Sequence, residues 1–298
     1  MNPHIYTAYG LHFASSFPLP QLIPATNCKP DVTISYGDVP ISLPMPSSHG
    51  LAWQYEAGRL LLTVKDVARY LIRENREIVI QPLPGSREDE VSTFLLGSVL
   101  GALLHARQIL LLHSSVIKTE RGAVLFMGPS GAGKSTLLSA FLKRGYAMLA
   151  DDKAGIIVNQ YGVAEVLPGF PCARLTLQTV VELNYPVEGL EIMPGLGKYV
   201  VPVKRFCEQP LPVYAAYSLN VYNQSEIRFE TLPTLDAFQI LNRHIYRRRF
   251  SHNAIQRGAH FRTLGVLSKH ARTMRVFRPD DARRIDNLAD RIEEDFAR

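Results

Sequence analysis

Through residue 85, β-prone runs alternate with turn clusters. IYTAYGLHF, DVTISYG, LAWQYEAG, RLLLTV, ARYLIREN and EIVIQP are separated by PLPQLIP, ISLPMPSSHG and PLPG, a pattern of short strands joined by Pro and Gly turns. Ser86 followed by Asp89 gives a capping signal, and residues 88–108 then follow helical spacing through Phe94, Leu95, Val99, Leu103 and His105. Apolar residues fall on most faces of that segment, which predicts a buried helix joining two domains. The short apolar runs ILLLHSSVI and GAVLFM predict buried strands, and TLLSAFLKRGY carries helix-period leucines closed by Gly145. AMLA, GIIVN, YVVPV, VYAAYSLNVY and EIRFETL continue as strands. Helical stretches follow near 234–250, 257–271 and 280–297, the last with Ile285, Leu288, Ile292 and Phe296 on one packing face.

This order predicts a β-rich N-terminal domain over residues 1–87 and an α/β domain over 88–298. At 298 residues, 46% hydrophobic and 20% charged, the chain has the make-up of a folded protein with a sizeable core. Three widely spaced cysteines, Cys28, Cys172 and Cys207, form neither a disulfide framework nor a zinc pattern. They suit a reducing compartment. The opening MNPHIYTAYG lacks a secretory pattern, and FLLGSVLGALLHARQILLL is broken by His105, Arg107 and Gln108. A soluble, cytoplasmic protein with no membrane partner is expected. The formal charge of +6, with much of the excess after residue 240, reads as a solvated basic face and not as a nucleic-acid surface.

The chemistry begins at GPSGAGKST. Gly128, Pro129, Ser130, Gly131, Ala132, Gly133, Lys134, Ser135 and Thr136 stand between an apparent strand and an apparent helix and carry the pattern G-x-x-x-x-G-K-S. Glycines let the backbone curl so that N–H groups face phosphate oxygens, with a helix N-terminus adding favourable potential. Lys134 is placed for the β and γ phosphates of ATP or another phosphate donor, and Ser135 for the Mg2+ that bridges them. The transporter-type ATPases that share this string need an LSGGQ-like segment and a downstream Asp-Glu strand, and neither is present.

Asp151 and Asp152 close the short strand AMLA. One carboxylate at such an edge can hold magnesium while its neighbour takes a proton from an attacking hydroxyl. His113 lies on the strand before the loop strand, where a lone histidine is ordinarily a hydrogen-bonded core residue.

Taken together, His113, GPSGAGKS and KRGYAMLADD resemble the catalytic domain of HPr kinase/phosphorylase. Its intervals hold here, fifteen residues from His113 to Gly128 and seventeen from Lys134 to Asp151. The resemblance covers residues 108–175. It implies a phosphate-loop α/β fold related to phosphoenolpyruvate carboxykinase, Asp151 as base toward a serine hydroxyl, Asp152 with Ser135 as magnesium ligands, and His113 and Lys134 completing the catalytic set. KST replaces the family's KSE, its later glycine-rich segment is absent, and the N-terminal module differs, which sets this chain apart from the bifunctional enzymes. YTAYGLHFASSFPLPQL, LPGFPCARL and IYRRRF are more similar to the HPr-kinase-related serine kinases found with lasso-peptide biosynthesis genes. Their implied partner is a precursor peptide ending in serine.

Four basic residues are candidates for holding that substrate. Arg174 lies a short loop beyond the aspartates, Lys198 sits in the glycine-flanked loop of PGLGKYVVPV, and Arg243 and Arg247, with His244, fall at helical spacing in ILNRHIYRR. Each also has an ordinary reading as a surface cation. The expected activity is an ATP- and Mg2+-dependent serine kinase acting on a peptide or small protein. A bifunctional HPr kinase/phosphorylase and a non-catalytic, nucleotide-gated peptide-binding module remain alternatives, and a homo-oligomer is compatible with all three.

Overall fold

The computed structural model describes residues 3–182, 184–193, 197–223, 225–251, 253–280 and 285–297. The chain divides into two compact units, the first Met1–Ile109 with Met193–Leu196 and Arg247–Gly258, the second Leu110–Ile192, Gly197–Tyr246 and Ala259–Arg298. No helix among the described residues is long and apolar enough to cross a membrane.

The first unit is built on one mixed sheet. Its strands are β1 (His4–Ala8), β2 (Leu11–Ser15), β3 (Ile23–Pro24), β4 (Val32–Tyr36), β5 (Ser48–Gly50), β6 (Trp53–Glu56), β7 (Arg59–Val64), β8 (Ala68–Arg73) and β9 (Glu77–Pro82). They lie in the order β3-β1-β2-β4-β9-β8-β7-β6-β5. The run IYTAYGLHF is not one strand, because Tyr9 and Gly10 turn with φ of 52° and 69°, the two-residue geometry whose twist matches an antiparallel hairpin.

The expected helix over 88–108 forms as α1 (Glu88–Phe94), a widened π turn over Leu95–Val99 and α2 (Leu100–Ala106), all within the first unit. Leu95, Leu96, Val99, Leu100, Leu103 and Leu104 are buried, which accounts for apolar residues on most faces. Ser86 does not cap it. The Ser86 hydroxyl donates to the Leu83 carbonyl at 2.8 Å, so Arg87 takes the cap position and its N–H donates to Glu90 at 3.3 Å.

The second unit holds a mixed sheet and a three-stranded one. From Leu110 onward the elements are β10 (Leu110–Leu112), β11 (Ser114–Thr119), β12 (Gly122–Met127), α3 (Lys134–Lys143), β13 (Ala147–Ala150), β14 (Ala154–Val158), β15 (Ala164–Leu167), β16 (Cys172–Thr176), α4 (Leu177–Glu182), β17 (Glu191–Met193), β18 (Lys198–Pro202), β19 (Leu211–Tyr222), β20 (Arg228–Thr231), α5 (Thr234–Arg243), α6 (Ala254–His270, its first residues counted with the first unit), β21 (Arg272–Pro279) and α7 (Ile285–Ala297). The large sheet runs β10-β14-β15-β19-β12-β11-β13, with β21 also on β19, and β16-β18-β17 form the small one. Among these, β12 and β21 each pair in parallel with β19.

GAVLFM is apolar throughout because β12 is covered on both faces. Val124 and Phe126 pack with Leu137, Leu138 and Phe141 of α3 and with Leu288 and Ile292 of α7. Ala123, Leu125 and Met127 point the other way, into a core with Ile240 and Leu241 of α5 and Leu264 and Leu267 of α6. The helix expected over 280–297 is seen over Ile285–Ala297, and residues 281–284 lie outside the described set. The stretch 234–250 is not one helix, since α5 ends at Arg243.

A candidate phosphate-binding site

Three strand ends meet at one edge of the large sheet. Antiparallel pairing sets Ser114 of β11 opposite Met127, the last residue of β12, and Val116 opposite Ala150, the last residue of β13. The segment entering β11, the loop leaving β12 and the aspartates leaving β13 therefore converge. His113 falls in a bend between β10 and β11 and not inside a strand. β10 pairs with β14, whereas β11 pairs with β12 and β13, so the chain must turn there.

Glycine is required where the loop curls. A Cβ on Gly128 would lie 2.8 Å from the Leu219 carbonyl oxygen and 2.9 Å from the Ala132 Cβ. Gly131 and Gly133 have φ of 82° and 93°, the left-handed region that other residues enter only at a cost. Gly133 is the N-cap of α3, so the helix starts at Lys134. Lys134 is buried and turns back on the loop, its Nζ donating to the carbonyls of Gly128 at 2.8 Å and Pro129 at 3.0 Å. Burial and then the neighbouring Lys198 push its pKa down, against the pull of Asp151 and Asp152.

The two aspartates are held differently. Asp151 accepts hydrogen bonds from the Ser115 hydroxyl at 2.6 Å and from the Arg174 backbone N–H at 2.8 Å. Asp152 adopts φ of 68°, a left-handed conformation rare outside glycine and asparagine-like residues, and this sends its side chain elsewhere. Its Oδ2 lies 2.5 Å from Arg174 Nη1 and 3.9 Å from Lys153 Nζ, and its Oδ1 lies 3.5 Å from His113 Nδ1. Burial pushes the Asp152 carboxyl up, but Arg174, Lys153, His113 and Lys198 together outweigh it and hold the group below the usual carboxylate range. Lys153 is itself fully buried, with Nζ over the rings of Phe170 and Tyr246 at 5.5 and 5.7 Å.

Burial likewise lowers the His113 pKa, opposed by Asp152, with Lys134 adding to the depression, so the ring is neutral near pH 7. Its Nδ1 is 2.9 Å from the Asp152 carbonyl oxygen. A carbonyl only accepts, so Nδ1 carries the proton and Nε2 is left as the basic nitrogen.

A cavity of about 420 Å3 brings these groups together. It is lined by His113, Ser130, Gly131, Gly133, Lys134, Ser135, Thr136, Asp151, Asp152, Arg174 and Lys198, with Thr176, Gln178, Thr179 and Glu182 completing the wall. Lys198 reaches it because β18 sets Lys198 in register with Thr176 of β16; Pro194, Gly195 and Leu196 of its loop lie outside the described residues.

The other two candidate cations are not among the residues lining the cavity. The expectation of one basic helical face over Arg243, His244 and Arg247 fails, because the helix stops at Arg243 and Arg247 turns with φ of 43° in the first unit. His244 is the member near the site. Its carbonyl accepts from the His113 N–H at 2.7 Å, its Nε2 is 3.3 Å from the Ser218 hydroxyl, and burial, then Lys134, His113 and Arg243, lower its pKa to about 4.

The donor set suits a hard cation. Ser135, Asp151 and Asp152 offer oxygen ligands in the same cavity. Among the described residues no group of three or more His, Cys, Asp or Glu side chains could hold a metal unaided. A magnesium ion would thus complete its shell with phosphate oxygens or water.

Three neighbours escaped the sequence. Ser115 was visible only as part of an apolar run, and its role follows from the β11–β13 register. Lys153 directly follows the aspartates, a position whose burial nothing local signals. Arg278 lies on β21, a strand whose interspersed arginines hid its apolar positions; its guanidinium reaches the glycine loop.

No protein-family model matches the chain, and no curated protein matches it. Among solved structures, the HPr(Ser) kinase/phosphatase from Coxiella burnetii aligns over 63% of this chain and 99% of that one, at 12% identity and a TM-score of 0.31. At that score the likeness is weak, and the functional reading rests on the residues themselves.

Proposed function

We propose that the chain is a nucleotide- and magnesium-dependent serine kinase of the HPr-kinase type, with its phosphate-loop catalytic domain in the C-terminal two thirds and a β-rich domain before it. The observation that carries this reading is the meeting of the glycine loop, Lys134, Ser135, both aspartates and His113 around one cavity.

Loop N–H groups and Lys134 bind the phosphates of the donor, Lys134 exchanging its two loop carbonyls for phosphate oxygens. Ser135 and Asp152 would hold the magnesium ion, which when bound neutralises phosphate charge. Asp151 takes the proton of the seryl hydroxyl; the Ser115 hydroxyl and the Arg174 N–H fix the orientation of its carboxylate. His113, neutral and tied to the Asp152 carbonyl, holds the second aspartate's backbone in its unusual conformation. Rate acceleration in such a site comes from positioning and charge stabilisation.

The acceptor in this reading is the C-terminal serine of a peptide, in the manner of a lasso-peptide precursor. Arg174 and Lys198 are the cations beside the aspartates that would meet its free carboxylate. Arg243 and Arg247 have no such support from the cavity.

The test is mass spectrometry of peptides incubated with the protein, magnesium and ATP. A peptide ending in serine is phosphorylated, and amidating its carboxylate lowers kcat/KM by about tenfold or more, since one charge-assisted hydrogen bond is worth about 1.5–3 kcal/mol. Equal turnover of the amide would refute the terminal-serine acceptor while leaving the kinase. No transfer to any seryl peptide, with nucleotide bound, would favour a nucleotide-gated binding module.

A further inference from the structure

A loop that turns its N–H groups toward an anion must turn carbonyls the other way. In this chain those carbonyls face protein. Lys134 takes two of them, at Gly128 and Pro129. Beyond Ser130, the carbonyls of Gly131 and Ala132 face a single side chain from the far end of the sequence.

That side chain is Arg278, 8% exposed. Its Nε donates to the Ala132 carbonyl at 2.9 Å and its Nη2 lies 3.5 Å from the Gly131 carbonyl, while Nη1 donates to its own neighbour Pro279 at 2.8 Å. The approach is close on both sides, for a Cβ on Gly133 would come within 3.1 Å of Nη2. Glycine at 133 is thus demanded by its backbone angle, and a side chain there would also crowd the guanidinium.

The sheet places Arg278 there. Met127, the last residue of β12, is in register with Ser218 of β19, and Ser218 with Arg275 of β21. β21 continues beyond that level, and Arg278 stands three residues along it, in register with Val221. The overshoot carries a buried cation beneath the loop that β12 feeds.

We propose that Arg278 is a positioning residue for phosphate binding: it ties the outward carbonyls of Gly131 and Ala132, so that the loop holds its curl before any nucleotide arrives, and it sets a fixed positive charge behind the phosphates. A lysine could supply the charge but not the planar fork that reaches successive carbonyls. This assignment rests on the phosphate-binding reading above.

The test uses the whole chain and inorganic pyrophosphate with magnesium, a probe of the phosphate cradle alone, followed by calorimetry. Arg278→Met is expected to weaken pyrophosphate binding on the order of tenfold to a hundredfold, the range for losing hydrogen bonds made by a charged donor. In the transfer assay the loss falls on KM for the nucleotide more than on kcat, which a general loss of folded protein would not produce. Arg278→Lys and Arg278→Gln, which restore the charge and two donors respectively, bind with intermediate affinity. Should Arg278→Met fail to fold, these two variants carry the test. Folded variants that bind pyrophosphate as tightly as the unaltered chain overturn the assignment and leave the nucleotide reading intact. Failure of the unaltered chain to bind pyrophosphate or nucleotide overturns both.

Discussion

Replacing Arg174 by methionine removes the nearest cation from Asp152 while keeping an apolar stem in β16. The pair is largely buried, with side-chain exposures of 14% and 19%, and its N···O distance is 2.5 Å. Removing one partner of a buried pair costs about 3–5 kcal/mol, because the remaining charge is stranded. Lys153 stays at 3.9 Å and offsets part of this, whereas His113, held neutral by burial, offsets little. A loss of about 3 kcal/mol is expected near pH 7. The backbone N–H of residue 174 still reaches Asp151 in the variant, so the loss belongs to Asp152. Its pH dependence has a definite sign. A carboxyl whose folded pKa is depressed contributes fully above its unfolded value, about 4, and its contribution fades as pH falls through the folded value. The gap between the two proteins is therefore widest above about pH 5 and narrows in acid. Urea unfolding followed by far-UV dichroism measures it. Tryptophan emission does not, since Trp53, the single tryptophan, lies in the other unit. A cost below about 0.5 kcal/mol, or the same cost in an Asp152→Asn background, would refute the coupling.

Asp151→Asn should lose turnover yet keep its affinity for magnesium-nucleotide, while Asp152→Asn should weaken the magnesium dependence of nucleotide binding; calorimetric titrations showing the reverse would exchange their roles. His244, with a folded pKa of about 4, binds fewer protons folded than unfolded between that value and its ordinary value of about 6.5. Its contribution is complete above about pH 6.5 and lost as pH falls toward 4, on the order of 3 kcal/mol. His244→Gln should flatten stability against pH across that window, and an unchanged slope in urea titrations would exclude the buried neutral histidine as its source.

Local pattern made much of the second unit legible. GAVLFM, GPSGAGKS and the leucine-spaced helix after it state a strand, a glycine loop and a helix, because strand burial on two faces, positive φ at glycine and helical periodicity are all properties of a few adjacent residues. The capping signal at Ser86 misled for the same reason. A hydroxyl has several backbone acceptors within reach, and only the packed turn selects Leu83 over the helix. The run from Arg243 to Arg247 kept helical spacing on paper, but helix termination is decided by what the chain meets next, here the pairing of Ile245 with Leu112.

What the sequence by itself determined is the loop's chemistry and the residue types available to it: glycines able to curl, a lysine and a serine at the helix start, two carboxylates and a histidine at set intervals. Only the tertiary structure decided how they are shared out. Strand register gives Asp151 to Ser115, a left-handed turn gives Asp152 to Arg174 and Lys153, and the overhang of β21 brings Arg278 under a loop 147 residues away. The physical reason is range. Backbone conformation and periodicity act over a few residues, but the electrostatic environment of a buried charge is set by whichever side chains the fold brings within a few ångströms, and no local pattern encodes that distance.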